Sequence, residues 1–234
     1  MRPLAIFALA CVAVVSVGCG DAAEVEAEGA DALVGGRDTF AYPAVGVTVL
    51  DGATGCSATL VASRVILLAG HCFGPGATRI DPWQFEIRHD ATTRFRYGTG
   101  DGLVLGRSPG ADDVALLRLT SSVPPEVARP IPIASSWPHY GTRLDAVGFG
   151  CTDRQTGAGA GTKRLLSTTY RLRWDLGWTS SGNCPGDSGG ALIDSGRPAV
   201  VGVISGWRNP SGYDLFGDVP KHRATLAAQI DAWR

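Results

Sequence analysis

Short apolar, β-branched runs recur along this chain, each closed off by Gly, Asp or Pro, and they leave few architectures open. Ala44 to Leu50, Ser57 to Ala62 and Val65 to Leu68 begin the series. Phe85 to His89, Phe95 to Tyr97, Leu103 to Gly106 and Val114 to Leu119 continue it. Runs of this kind read as strands, and short strands at regular spacing point to a barrel. Ser121 to Pro138 then carries five prolines, which bars regular ladders and marks a connector. A second series follows: Arg143 to Phe149, Arg164 to Trp174, Ala191 to Ile193, Val200 to Ser205 and Leu215 to Val219. Helices of crossover length do not alternate with these runs, which argues against a doubly wound parallel sheet. Lys221 to Trp233 changes period, with Leu226, Ile230 and Trp233 on one helical face. The 32 glycines suit a globular chain with many tight turns, and a net charge of -1 gives no basic footprint for nucleic acid.

Residues 1–18 have the make-up of a signal peptide: Arg2, then an apolar run from Leu4 to Val17 too short and wrongly flanked for a stable membrane span. Ser16-Val17-Gly18-Cys19 is similar to a bacterial lipoprotein cleavage box, with Ser16 where that pattern prefers Leu. Cys19 is therefore a candidate lipid acceptor and possible membrane tether, and an ordinary secretory cut nearby is the other reading. Both predict export: secreted, periplasmic or lipid-anchored at the cell envelope. Residues 19–32, acidic from Asp21 to Asp31, read as a tether or propeptide with almost nothing to bury. Beyond Cys11 and Cys19, Cys56, Cys72, Cys151 and Cys184 remain, and four cysteines allow three pairings. No Cys-x-x-Cys pair points to zinc.

Cys184-Pro185-Gly186-Asp187-Ser188-Gly189-Gly190 has the composition of a nucleophile turn. A serine hydroxyl attacks poorly unless a base takes its proton and fixed donors receive the charge that forms on the substrate oxygen. With little side chain in the way, the N–H groups of Gly186 and Ser188 can converge on one point. Ala69-Gly70-His71-Cys72 supplies an imidazole, and Asp113-Val114-Ala115-Leu116-Leu117 a carboxylate at the head of an apolar run. The serine turn also fits the Gly-x-Ser-x-Gly elbow of α/β-hydrolases, with Asp214 or Asp218 and His222 as later partners. Too little chain follows Ser188 to complete that fold.

Together with Leu33-Val34-Gly35-Gly36, and in that chain order, these motifs resemble the chymotrypsin-like (trypsin-fold) serine peptidases over nearly everything from Leu33 onward. The resemblance implies an all-β fold of two packed antiparallel six-stranded β-barrels with a C-terminal α-helix. The peptidase domain would span 33–234, with barrel one about 33–128, barrel two about 129–220 and the helix about 221–233. The implied activity is that of a serine endopeptidase on protein or peptide substrates, through an acyl-enzyme and with no cofactor or metal. Ser188 is the implied nucleophile, His71 the base, Asp113 rather than adjacent Asp112 its orienting acid, and Gly186 and Ser188 the oxyanion hole.

In such peptidases a cysteine just after the His bridges back to the preceding strand, which pairs Cys56 with Cys72. Cys151 with Cys184 departs from the pattern, because the usual partner of the second lies downstream of the nucleophile; the bridge would tie two neighbouring loops. Activation by proteolysis is also implied, with a new terminus at Leu33 pairing with Asp187. The residue before that cut is Ala32, so the activating protease should not be trypsin-like. The specificity pocket maps to Gly182, Ser205, Trp207 and Asp214. Gly182 stands where trypsin-like members carry an acid, which points away from Arg and Lys, whereas Asp214 offers a negative charge from another wall. Ser205-Gly206-Trp207 replaces the usual Ser-Trp-Gly, so Trp207 either closes the entrance to all but small side chains or is displaced by a shift of one residue. A catalytically silent, protease-like binding module is the alternative; covalent reaction of Ser188 with an organophosphonate separates the two.

Overall fold

A computed structural model describes residues 33, 36–80, 83–173, 176–178, 182–208 and 213–234. The expected signal peptide and tether, Cys19, Ala32, Val34, Gly35 and Trp174 lie outside the described residues. The described strands are β1 (Arg37–Asp38), β2 (Val45–Leu50), β3 (Ala53–Ala62), β4 (Val65–Leu68), β5 (Gln84–Arg88), β6 (Arg94–Val104) and β7 (Ala115–Leu119). Then come β8 (Arg143–Gly148), β9 (Arg164–Thr169), β10 (Arg171–Arg173), β11 (Leu176–Trp178), β12 (Ala191–Asp194), β13 (Val200–Arg208), β14 (Tyr213–Asp218) and helix α1 (Arg223–Trp233).

Strands β2-β3-β4-β7-β6-β5 close into an antiparallel barrel, and β1-β9-β8-β12-β13-β14 form a six-stranded antiparallel sheet, with β10 and β11 as a separate pair. The fold is thus mostly β, a closed six-stranded barrel and a second six-stranded sheet, with one C-terminal helix. Alternation along β12 and β13 explains why these runs are apolar throughout. Leu192, Val201 and Ile204 join one core cluster with Leu144 and Phe216. Ala191, Ile193, Val200 and Val203 join the other, shared with barrel residues such as Leu60 and Leu68 and with Leu226 and Ile230 of α1. A sheet buried on both faces has no solvent side to mark with polar residues.

Two local features depart from a plain reading of the chain. Phe95 to Tyr97 and Leu103 are parts of one strand, β6, with a register shift between Thr99 and Gly102. The glycines between them fill no turn: a Cβ on Gly98 would crowd Thr120, and one on Gly102 would crowd the Phe73 ring and the Thr78 carbonyl. In addition, β1 lies early in the chain yet pairs with β9, Arg37 opposite Leu165 and Asp38 opposite Arg164. The chain therefore touches the second sheet before it enters the first barrel. The proline-rich connector binds both units, with Ile131 N donating to Leu60 O at 2.9 Å and Ala134 N to Val200 O at 2.9 Å.

Cys56 is bonded to Cys72 with Cα atoms 6.2 Å apart, and Cys151 to Cys184 at 5.3 Å. The first bridge ties β3 to the turn that carries His71, across a sequence separation of 16. Closing a loop of that size removes about 3 kcal/mol of unfolded-chain entropy. Replacing Cys56 and Cys72 together by Ser should lower unfolding stability by about 2 to 4 kcal/mol in denaturant melts under oxidising conditions. A loss well under 1 kcal/mol would contradict this.

Candidate active site

His71 lies on a 3-10 turn, Gly70–Cys72, directly after β4. A Cβ on Gly70 would overlap the Gly106 carbonyl, so the turn packs against the loop leading to Asp113 as only glycine allows. The His71 Nδ1 is 2.6 Å from Asp113 Oδ2, and the His71 backbone N donates to Asp113 Oδ1 at 2.8 Å. Ser205 Oγ donates to the same Oδ2 at 2.6 Å and accepts from Gly110 N at 3.0 Å. Asp113 is wholly buried, and these donors replace the water it has lost. A carboxylate in this setting accepts, so the ring proton sits on Nδ1 and Nε2 is left as the basic nitrogen.

Asp112, one residue earlier, is exposed and bound to Lys221 Nζ at 2.7 Å and His222 Nε2 at 2.8 Å. Lys221 chiefly, with His222, holds its carboxyl below the usual range. The α/β-hydrolase partners are scattered accordingly: His222 sits on Asp112, and Asp218 accepts from Trp137 Nε1 at 2.9 Å.

Ser188 is half-buried and lines a cleft of about 460 Å³ together with Gly186, Pro185, Trp83 and the Cys56–Cys72 bridge. Among the described residues no hydrogen bond joins Ser188 to His71; such bonds commonly tighten only in the Michaelis complex. Gly186 has φ 98°, a conformation that a side chain penalises. Its carbonyl accepts from Ser57 Oγ at 2.7 Å, and Ser57 Oγ in turn accepts from Phe149 N at 2.9 Å. Within the turn, Asp187 N, Gly189 N and Gly190 N are bonded to Cys184 O, Ile204 O and Asp187 O. Among the described residues the N–H groups of Gly186 and Ser188 have no intramolecular partner, so both remain available to an incoming oxygen.

Asp187 is fully buried behind this turn. Gly150 N donates to its Oδ1 at 2.7 Å and Cys184 N to its Oδ2 at 3.0 Å. A Cβ on Gly148 or Gly150 would overlap the carboxyl group. Burial pushes its pKa up to about 7 against the pull of these N–H groups and of Arg164, and the nearby Asp214 charge adds to the rise. Among the described residues it has no ion-pair partner. Leu33 is buried in the core of the second sheet near Leu144 and Phe216, at φ 35°. In this uncut chain its nitrogen is a neutral amide, and no hydrogen bond or ion pair joins Leu33 to Asp187 among the described residues.

The four pocket residues do not act as one wall. Asp214, buried, accepts from Gly182 N at 3.0 Å and Asn183 N at 3.2 Å, which shapes the segment entering the nucleophile turn. Ser205 is turned to Asp113 instead. The β13–β14 register shifts between Ile204 and Gly206, leaving Trp207 opposite Asp214. The Trp207 ring packs under the Arg154 guanidinium, 4.7 Å from its centroid. Ser57 and Arg154 are contacts that motif reading misses: Ser57 is marked only as a polar residue beside Cys56, and Arg154 stands in a Gly- and Ala-rich loop with no pattern around it.

The acid–imidazole pair lies on the first barrel and the serine turn leads into the second sheet, so the candidate site residues are divided between two β units. Comparison with known proteins narrows this. The family model Trypsin matches residues 33–219, and the chain belongs to that family, the trypsin-like serine proteases. Among similar curated proteins, trypsin iota of Drosophila melanogaster is 24% identical over 240 residues, spanning 86% of this chain and 88% of the relative. Trypsin alpha-4 of Lucilia cuprina is 26% identical over 207 residues, 76% of this chain and 75% of that protein. Among solved structures, human heparin binding protein superposes with a TM-score of 0.71 at 21% identity, covering 83% of this chain and 95% of its own. Neuropsin, a serine protease of mouse brain, gives 0.70 at 14% identity over 83% and 98%. At these identities the structural matches speak for the fold.

Proposed function

We propose that the protein is an exported serine endopeptidase, made as a precursor and switched on by a cut between Ala32 and Leu33. The observation that supports the reading is the His71–Asp113 pair together with a serine turn whose Gly186 and Ser188 N–H groups are, among the described residues, uncommitted. His71 Nε2 takes the Ser188 proton as Oγ attacks the scissile carbonyl carbon. The carbonyl oxygen becomes an oxyanion held by the N–H groups of Gly186 and Ser188. The intermediate collapses, the peptide C–N bond breaks, and His71 returns the proton to the leaving amine. A water then repeats the sequence on the acyl-enzyme and frees Ser188.

The activation step is supported by Asp187, a buried carboxylate with two backbone donors and no cation among the described residues. A protonated terminus at Leu33 would supply that cation. Left-handed φ at Leu33 costs about 1 to 2 kcal/mol for a residue with a Cβ, which a free terminus could relieve. The domain would start at Leu33, the activating protease would not need a basic residue before the cut, and a lipid on Cys19 would tether the precursor alone.

A fluorophosphonate probe with peptide mapping tests the chemistry: label on Ser188 is expected, and a folded, activated protein that takes none is a binding module. N-terminal sequencing of the active form tests the switch. Any start other than Leu33 ends it.

A further inference from the structure

The two disulfides differ in what can reach them. Cys151 and Cys184 are buried, whereas Cys56 and Cys72 are half-buried and line the cleft of about 460 Å³ beside Ser188. Exchange requires a thiolate to touch a bridge sulfur, so a small dithiol entering the cleft meets the first bridge and not the second. The reduction balances between the two partners. The Cys56–Cys72 S–S bond takes up two electrons and two protons and opens to two thiols, while the dithiol closes to its own disulfide.

The freed sulfurs have a third donor beside them. One ligand atom each of Cys56, His71 and Cys72 lies within 4.8 Å of the other two. Tetrahedral zinc, with bonds of about 2.3 Å to sulfur and 2.0 Å to nitrogen, sets its donors roughly 3.5 to 3.8 Å apart. Two sulfurs released from a common bond need only separate to that spacing. His71 Nδ1 is committed to Asp113 at 2.6 Å, which leaves Nε2 with the free lone pair. A carboxylate holding the other ring N–H is what orients and strengthens a metal-binding imidazole, and Asp113 already stands in that position.

We infer that reduction converts the Cys56–Cys72 bridge into a metal site, in which Cys56 Sγ, Cys72 Sγ and His71 Nε2 hold one Zn²⁺ ion. Binding releases the two thiol protons, the thiolates balance the charge of the ion, and the open cleft admits water as the fourth ligand. On the peptidase reading given above, the ion also occupies the nitrogen that would take the Ser188 proton, so dithiol and metal together silence the site. The metal site itself does not depend on that reading.

The test uses the full-length chain carrying Cys11→Ser and Cys19→Ser, a phosphine reductant, and Co²⁺ as a spectroscopic substitute for Zn²⁺. Alkylation with peptide mapping should modify Cys56 and Cys72 at least about tenfold faster than Cys151 and Cys184. Co²⁺ should bind the reduced chain at one equivalent, with thiolate charge-transfer bands and the intense visible absorption of a tetrahedral ion, and should leave the oxidised chain without them. Asp113→Asn should weaken that binding by about tenfold to a hundredfold, and His71→Ala by more. Equal alkylation of the four cysteines, an octahedral cobalt spectrum or unchanged affinity in His71→Ala overturns the inference. Loss of the near-ultraviolet circular dichroism on reduction overturns it too, because unfolded cysteines would then be the ligands. Fluorophosphonate labelling of protein cut before Leu33, treated in parallel with Zn²⁺, separates the two levels. Label in the oxidised form, none in the reduced and loaded form, and its return with a chelator are expected. Cobalt binding with no label in the oxidised form sinks the peptidase reading and leaves the metal site standing; label without cobalt binding sinks the metal site alone.

Discussion

Ser188→Ala should fold as the parent does and lose peptide hydrolysis by a factor on the order of 10⁶ in kcat. On the proposed mechanism the loss is large because the hydroxyl would be the attacking atom, and the structural effect is small because it is half-buried and engages in no hydrogen bond among the described residues. His71→Ala should cost about as much, and the double variant no more, since the two act as one unit. Asp113→Asn is more telling. An Asn amide presents a donor to His71 Nδ1, which favours the other tautomer and costs roughly 10⁴ in kcat with the site geometry kept. The measurement is kcat of the activated forms on a peptide substrate, with thermal melts as control. Residual activity in Ser188→Ala within about tenfold of the parent would refute the nucleophile assignment.

The second large effect concerns Asp187. Cut at Leu33, the chain should gain at least about a hundredfold in activity as the oxyanion donors are fixed, and Asp187→Asn should abolish that gain while the cut still occurs. In the precursor the same carboxyl predicts a pH signature. Its folded-state pKa is raised to about 7, so the folded protein binds its proton more tightly than the unfolded chain. The stabilisation is complete below the ordinary carboxylate value, fades as pH rises, and is gone above about 7. Precursor melting temperatures should therefore fall between pH 5 and pH 8 more steeply than those of Asp187→Asn, where that contribution is absent. Parallel curves would contradict the burial argument. In the cut form an α-amino partner has its own pKa raised, so activity should be lost as alkali removes that proton.

The His71–Asp113 contact is legible in the chain because each residue sits where an apolar strand begins or ends, and strand ends gather at one rim. The choice between Asp112 and Asp113 is not legible from residue chemistry alone. It follows from one being buried under Ser205 and the other exposed to Lys221. Ser205 shows the reverse problem: proximity in sequence to Trp207 suggests a pocket residue, but its hydroxyl is spent on Asp113. Ser57 and Arg154 escape a sequence reading altogether. Ser57 meets Gly186 across 129 positions and Arg154 meets Asn183 across 29, and neither distance carries a local signature. Glycines 98 and 102 mislead for a physical reason, because the same residue serves both tight reversal and close packing, and only the neighbours distinguish the two.

The crossing of β1 onto β9 governs how this polypeptide tolerates being divided. A fragment ending in the proline connector would carry away the strip that shields β9, leaving that strand with a bare hydrogen-bonding rim open to aggregation. Split reporters built at residues 121–138 should therefore recover solubility of the second fragment only when the 36–39 segment is also supplied to it.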